Sequence, residues 1–367
     1  MTNNHKQYLF FVTIGPVQSF IAQARKTQDL YAGSRILSEL TKAAAQEAKN
    51  NQNITLVFPT EIPAGNNSFP NRFIGTITGN FSNEQLQAKG QSIEDKVRET
   101  FKDFAKNALS VVQLAAPAGF DEQIKAHLDI NWLFLPMTDN NYGAAYRLIE
   151  PYMASLKNMR IIGNEYPEAG RKCSLDGERN ALFFGQGSNH SYVSENKAQI
   201  VSQGAWLTSN EGLSAVSLVK RTFEVEKEGF PSTAKVALSK QLAGLSKQNE
   251  ELLNCYKKLF SKDYPNACIE LVEQRHISSI NIENKKDNWR TEFDEQLLFE
   301  ENLTSQNIPN ASQLSIAKPI QQKLKPHLTQ NHYTLIAFDG DKMGALLSGE
   351  FCKNKAETTF DLATFQG

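Results

Sequence analysis

The stretch Tyr8-Leu9-Phe10-Phe11-Val12-Thr13-Ile14-Gly15-Pro16-Val17-Gln18-Ser19-Phe20 decides how the chain begins to fold. Its first seven residues are apolar, β-branched or aromatic, which predicts a buried strand. Gly15-Pro16 ends that strand, and Pro is favoured at the first helical position because its missing N–H would be unpaired there. Val17, Phe20, Ile21 and Ala24 then recur at helical spacing. The stretch therefore predicts a strand that leads directly into a helix.

The elements that follow alternate between strands and helices. The sequence predicts a break at Asp29 to Gly33, a helix from Ser34, strands at 54–58 and 73–77, a helix over 83–110, and a strand at 132–135. The order strand, helices, strand, strand, helix, strand is that of the ferredoxin-like split βαβ arrangement, so the fold class is α+β. Many unrelated functions use this architecture, so it assigns none of them. A further helix is predicted over residues 233–262.

Composition limits the class of protein. The chain has 367 residues, of which 40% are hydrophobic and 22% are charged, so two or three domains are expected. Its formal net charge of −1 gives no global electrostatic signature of nucleic-acid binding. The polar N-terminus and four cysteines without a Cys-x-x-Cys pair predict a cytoplasmic protein without disulfides. No apolar run reaches the roughly 18–20 residues needed to cross a bilayer.

A second informative stretch lies near residue 340. Tyr333 to Phe338 is an apolar run that leads straight into Asp339-Gly340-Asp341-Lys342, which predicts a buried strand with carboxylates at its end. Carboxylates hold paired Mg²⁺ ions in nucleotidyl transfer, the Gly340 carbonyl is a possible further ligand, and Lys342 could meet a phosphate. The alternative is an ordinary strand-to-helix turn with Asp341 as the helix N-cap.

The segment from Gly15 to Ser34 also has two interpretations. It is either a packed strand–helix turn followed by a second helix, or a helix N-terminus whose free N–H groups face a phosphate. Spacing does not decide between them.

Residues 171–179 have part of a zinc-binding pattern. Cys173-Ser174-Leu175-Asp176-Gly177 has the outline of a zinc knuckle whose second thiolate is absent, and Ser214 and Ser217 have the matching spacing further along. A structural zinc site takes four Cys or His ligands, of which Cys173 alone remains here. The sequence therefore predicts a metal-free loop with a buried cysteine that is the remnant of a zinc site, and zinc is not expected as a cofactor.

Four stretches together resemble the large, palm-containing subunit of type III CRISPR effector complexes in its Cmr-type (III-B) branch. They are GPVQSFIAQARKTQDLYAGSRILSEL (15–40), RKCSLDGER (171–179), FPSTAKVAL (230–238) and YTLIAFDGDKMGALLSG (333–349). The resemblance implies a first ferredoxin-like, nucleotide-cyclase-like palm with helical insertions at 1–165. It implies a helical region with a degenerate zinc knuckle at 166–330, and the start of a second palm at 331–367.

The resemblance also implies a chemistry. In this family the two palms pair, bind ATP with Mg²⁺ (or Mn²⁺) and join it into oligoadenylate second messengers once target RNA pairs with the guide RNA. Asp339 matches the metal-binding aspartate, with Gly340 as a further Mg²⁺ ligand and Asp341 as its catalytic neighbour. Gly340, Lys342 and Ser34 are the expected nucleotide-binding residues. The expected partners are other Cmr-type subunits, guide RNA and target RNA, and no membrane.

The sequence lacks two features of the family that bear on activity. The Gly-Gly-Asp-Asp hairpin, which supplies the other metal-binding acids, and the N-terminal histidine–aspartate nuclease domain are absent from these 367 residues. We therefore expect another segment or chain to complete the second palm, and we expect this chain alone to be inactive. A non-catalytic scaffold that docks other Cmr-type subunits and guide RNA is the alternative. A free-standing GGDEF-like cyclase lacks support because its hairpin is missing.

Overall fold

The structure is a computed structural model. It describes residues 6–65, 67–138, 141–159, 170–185, 199–201, 207, 211–223, 233–260, 295–305, 308, 311–329, 332, 334 and 347. The chain divides into two compact units, of which the first comprises Met1–Arg25, Asp29–Phe223 and Phe338–Gly367 and the second comprises Lys26–Gln28 and Glu224–Ala337. This division does not coincide with the predicted boundaries at 165 and 330, and the domain assignments stay predictions.

A four-stranded antiparallel sheet organises the first unit. Its strands are β1 (Gln7–Gly15), β2 (Thr55–Phe58), β3 (Arg72–Thr78) and β4 (Asp129–Pro136), in the order β2-β3-β1-β4. The four predicted strands are confirmed to within a few residues at each end, because each is an apolar or β-branched run bounded by turn residues. The mixed helix-and-sheet class is confirmed with them.

The two faces of this sheet are covered by different elements. Side chains alternate along a strand, so Phe10 and Val12 lie on one face and Leu9 and Phe11 on the other. On the first face, helix α3 (Asn83–Val112) packs at Gly90 against the Trp132 indole. Because this approach leaves no room for a Cβ, Gly90 permits helix and sheet to meet closely. The second face carries helix α5 (Tyr142–Asn158) and Leu347.

The N-terminal helices depart from two expectations. Helix α1 (Gln18–Ala22) begins after its N-cap Val17, so Pro16 precedes the helix and is not its first residue. Helix α2 (Thr27–Asn50) runs without interruption through the predicted break at Asp29 to Gly33, which is therefore wrong. The break was inferred from a polar residue and a glycine, but tertiary contacts with residues 220 and 221 account for both. Helix α4 (Phe120–His127) follows α3 and precedes β4.

The described residues between 170 and 223 contain a second, three-stranded sheet of the same unit. Strands β5 (Phe183–Gly185), β6 (Gln199–Val201) and β7 (Gly212–Leu213) pair in the order β6-β5-β7. Helix α6 (Ala215–Thr222) follows, and all of its residues are buried.

The described part of the second unit is helical. It contains α7 (Thr233–Ala243), α8 (Lys247–Lys258), α9 (Ala311–Leu324) and three short 3₁₀ helices, at Glu295–Leu298, Glu300–Asn302 and Lys325–His327. The predicted helical structure over 233–262 is confirmed by α7 and α8, but the chain breaks at Gly244, and Ser246 caps the second helix by accepting from the Asn249 N–H. None of the helices in the described ranges has both the length and the apolarity that crossing a bilayer requires.

Candidate functional site

The predicted site residues fall into two groups. Asp339, Gly340, Asp341 and Lys342 lie outside the described residues, so their roles stay predictions. Ser34 is described, and its side chain is exposed in the second turn of α2. The geometry around Ser34 therefore determines what the structure contributes to the candidate site.

Lys220 of α6 holds the turn between α1 and α2. Its ammonium donates to the backbone carbonyls of Phe20, Ile21 (3.2 Å) and Gln23 (2.7 Å). The last carbonyls of a helix lack intrahelical partners, and a cation is favourable there. Burial lowers the pKa of Lys220 to about 8, although nearby Asp29 opposes that shift. The turn is thus fixed by a cation with an exposed fraction of only 1%.

Arg221, the next residue of α6, holds the start of α2. Its guanidinium contacts Asp29 through Nε–Oδ1 (2.7 Å) and Nη2–Oδ2 (3.1 Å), and Glu211 through Nη1–Oε2 (3.2 Å) and Nη2–Oε1 (3.1 Å). All three side chains are almost fully buried. Burial alone would lower the pKa of Arg221, but the hydrogen bonds and charges of the two carboxylates raise it. Because one planar guanidinium makes two bidentate contacts, it fixes the orientation of both carboxylates as well as their distance from Arg221.

Gly33 sets the position of Ser34. A Cβ at Gly33 would lie 2.9 Å from Lys220 Cε and 3.3 Å from Ile21 Cα, so a glycine permits α2 to pass close to both. With Gly33 turned inward, Ser34 is turned to solvent. The arrangement offers an exposed hydroxyl on a helix that buried ion pairs hold in place.

Cys173, Asp176, Ser214 and Ser217 converge in the fold. Asp176 Oδ2 accepts from Ser214 Oγ (2.7 Å) and Ser217 Oγ (3.2 Å), while Oδ1 accepts from the backbone N–H groups of Glu178 and Arg179 (both 3.0 Å). Burial raises the pKa of Asp176, but these hydrogen bonds outweigh it, and the net shift is downward. Cys173 is buried, as predicted, and its Sγ lies 3.2 Å from Ser217 Oγ.

The zinc ion of an intact zinc knuckle does not fit this donor set. A structural zinc site takes thiolate and imidazole ligands, whereas here one thiol, one carboxylate and two hydroxyls are bonded to each other. Over the described ranges, no three His, Cys, Asp or Glu side chains come together as a metal site would need.

His127, at the end of α4, is a buried residue that sequence reasoning missed. Its ring lies between those of Phe20 and Phe101, and Arg179 Nη2 contacts its Nδ1 at 3.3 Å. Its Nε2 has no hydrogen-bond partner within the described part of the chain. Burial, followed by the positive charge of Arg179, lowers the pKa of His127 to about 3, so the ring is neutral near pH 7. A histidine in an amphipathic helix gives no sequence signal for this.

An open groove of about 700 Å³ lies elsewhere, between α2 and α3. Its charged lining is Glu47, Asp95, Lys96 and Glu99, so acids outnumber bases. Ser34, the one predicted site residue that the structure describes, does not line it, and its charge disfavours phosphate.

Comparison with known proteins finds a family to which part of the chain is similar. Residues 9–106 match the family described as CRISPR-associated protein Cmr2, N-terminal. The cryo-EM structure of type III-B Cmr-beta in the apo state has a TM-score of 0.48 at 13% identity, and the match covers 71% of this chain and 39% of that one. The Cmr-beta structure bound to cognate target RNA gives 0.45 at 13% identity, with 69% and 38% covered. The chain thus spans about two fifths of the length of these structures. A search of curated protein sequences returned no match.

Proposed function

Since residues 9–106 belong to the Cmr2 N-terminal family, we propose that this chain is a subunit of an RNA-guided type III-B CRISPR effector complex. The single observation that carries the proposal is this family match, which extends from β1 to near the end of α3. The other three family-like stretches of the sequence lie outside the matched range and support the same assignment.

The first unit supports a palm within that subunit. Its elements follow the order β-α-β-β-α-β, and its sheet has the antiparallel order β2-β3-β1-β4, with β1 and β3 in the centre. This order supports a ferredoxin-like fold, to which the palms of nucleotide cyclases belong. On this basis we propose that residues 1–165 form the first palm.

The burial of Leu347 supports a second palm that begins beside the first. Leu347 is 4% exposed and packs in a cluster with Leu9 and Phe11 of β1 and with Tyr146 and Ile149 of α5. Leu347 follows Asp339 closely in the sequence, within a segment that belongs to the first compact unit. A segment that starts a new palm would expose an apolar face unless it packed against an existing one.

The proposed chemistry is the joining of ATP molecules with Mg²⁺ or Mn²⁺. Asp339, Asp341 and the Gly340 carbonyl supply oxygen ligands of the kind that Mg²⁺ prefers, and Lys342 and Ser34 would contact the nucleotide. When bound, the metal neutralises developing charge on the phosphates. Because the sequence has no Gly-Gly-Asp-Asp hairpin, we propose that another segment or chain supplies the remaining acids.

A non-catalytic scaffold is the second candidate, and the missing hairpin favours it. In that case the chain would dock other Cmr-type subunits and guide RNA without converting ATP. Both candidates fit the net charge of −1, because guide RNA reads the target sequence and the protein reads backbone and shape.

Reconstitution distinguishes the candidates. The chain is assembled with the segment or chain that carries the Gly-Gly-Asp-Asp hairpin, the other subunits and guide RNA, target RNA is added, and ATP conversion and guide-RNA binding are measured. Asp339→Ala should abolish conversion and leave RNA binding intact, whereas Asp103→Ala, which changes an exposed carboxylate of α3, should affect neither. If Asp339→Ala leaves both ATP conversion and guide-RNA binding intact, the scaffold is favoured. Failure of the chain to assemble with guide RNA and the subunits would refute the proposed function.

A further inference from the structure

The cluster at Cys173 and Asp176 joins two parts of the chain that are distant in sequence. Cys173 and Asp176 lie in the loop before β5, and Ser214 and Ser217 lie at the start of α6. Each pair is separated by two residues, as paired zinc ligands are, and the fold brings the two pairs together. The Leu175 N–H also donates to Cys173 Sγ (3.4 Å), which closes the loop around the sulfur.

We propose that the Asp176 carboxylate replaces a structural zinc ion here, so that the cross-link between this loop and α6 needs no metal. The carboxylate accepts two hydroxyl and two backbone N–H hydrogen bonds, which matches the number of acceptor sites on its two oxygens. The Asp176 carboxylate also forms an ion pair with Arg179 Nη1 at 3.6 Å. A buried carboxylate that is fully hydrogen-bonded and charge-paired is the arrangement in which burial is tolerated.

A chain of hydrogen bonds links Cys173 to Asp176. Cys173 Sγ donates to Ser217 Oγ, which in turn donates to Asp176 Oδ2. The Cys173 sulfur is thus linked to the Asp176 carboxylate through one serine hydroxyl. Ser214 Oγ accepts from the Ser217 N–H (3.2 Å) and donates to Asp176, so one hydroxyl both caps α6 and joins the cluster. Four hydrogen bonds and the Arg179 guanidinium thus stabilise the Asp176 carboxylate without a metal ion.

The position of α6 follows from this cross-link. Gln123 of α4 accepts from the Ala215 N–H (2.8 Å) and donates to the Asn180 carbonyl (2.9 Å), which adds a second tie at the same end of α6. The other end of the helix carries Lys220 and Arg221, whose contacts fix the start of α2. Asp176 thus stabilises the helix that positions the segment around Ser34. This inference does not depend on the proposed function.

The first test measures metal dependence and the role of the carboxylate in the full chain. We expect the purified chain to contain far less than one zinc per molecule and to unfold at the same temperature with and without a strong chelator. Asp176→Ala and the nearly isosteric Asp176→Asn should each lower the midpoint of thermal unfolding by roughly 2–6 °C, because buried donors lose their acceptor. Asp103→Asn, on the exposed face of α3, should leave it unchanged.

The second test converts the cluster. Asp176→Cys, Ser214→Cys and Ser217→Cys, made together, place four thiols at these positions, and we expect this variant to bind Co²⁺ with the absorption of tetrahedral thiolate coordination. Its midpoint should then fall on addition of chelator. A wild-type chain that holds one zinc per molecule, and that loses stability when the zinc is removed, would overturn the inference. So would a wild-type midpoint for both Asp176 variants, or a folded triple variant that shows no Co²⁺ absorption.

Discussion

Replacement of Arg221 by Met is the sharpest probe of how α2 is held. The change keeps much of the side-chain length and removes a guanidinium that contacts Asp29 and Glu211 at 2.7 to 3.2 Å. Those carboxylates have exposed side-chain fractions of 0% and 3%, so water cannot replace the guanidinium. Removal of one partner from a buried ion pair costs about 3–5 kcal/mol because it strands the opposite charge. We expect the free energy of unfolding to fall by that amount.

Arg98→Met is the matched control. Arg98 contacts Glu94 at 2.8 Å, a distance like that in the buried group, but its side chain is 38% exposed. Exposed pairs contribute about 0–1 kcal/mol, so the same substitution should have little effect there. The two variants therefore differ mainly in the burial of the ion pair.

The assay is urea unfolding of the full chain, monitored by circular dichroism. Hydrogen exchange of backbone amides near Asp29 gives a local readout. Arg221→Met should lower the unfolding midpoint and speed exchange in the first turns of α2, whereas Arg98→Met should do neither. A cost for Arg221→Met no larger than that for Arg98→Met would refute the reasoning, because the buried network would then contribute nothing that a surface pair does not.

Three further predictions follow from single contacts. Gly33→Ala should destabilise the chain by about 1 kcal/mol, because overpacking against Lys220 exceeds the gain in helix propensity, and a stabilised variant in urea unfolding would contradict this. The pKa of His127 is about 3 when folded and about 6.5 when unfolded, so the unfolded state binds more protons between these values and stability falls as pH falls. Between pH 7 and 5 the free energy of unfolding should fall by about 2 kcal/mol in the wild-type chain, and this fall should be absent in His127→Gln. Parallel curves of stability against pH for the two proteins would contradict this prediction. Leu347→Ala should cost about 2–5 kcal/mol if its burial against β1 and α5 is as described, and an unchanged midpoint would oppose this packing.

The candidate site was predicted in part from local sequence. The Asp-Gly-Asp stretch and Ser34 were singled out because they lie within short segments that match a family pattern, and their roles stay predictions. Asp176 was noted only as a departure from a zinc pattern, since its hydrogen-bond donors Ser214 and Ser217 lie about 40 residues away. His127 gave no signal, because its buried position depends on Phe20 and Arg179, which are distant in sequence.

The sequence by itself determined the four strands of the sheet and the helix over residues 83–110, because hydrophobic period and turn residues act locally. Only the tertiary structure decided that α2 is continuous through Gly33. Locally, Asp29 and Gly33 have the composition of a break, and helix propensity is a weak preference that tertiary contacts override. Arg221 makes Asp29 a buried ion-pair partner, and Lys220 makes Gly33 a point of close approach. Those contacts join residues about 190 positions apart, and no local pattern in the sequence encodes them.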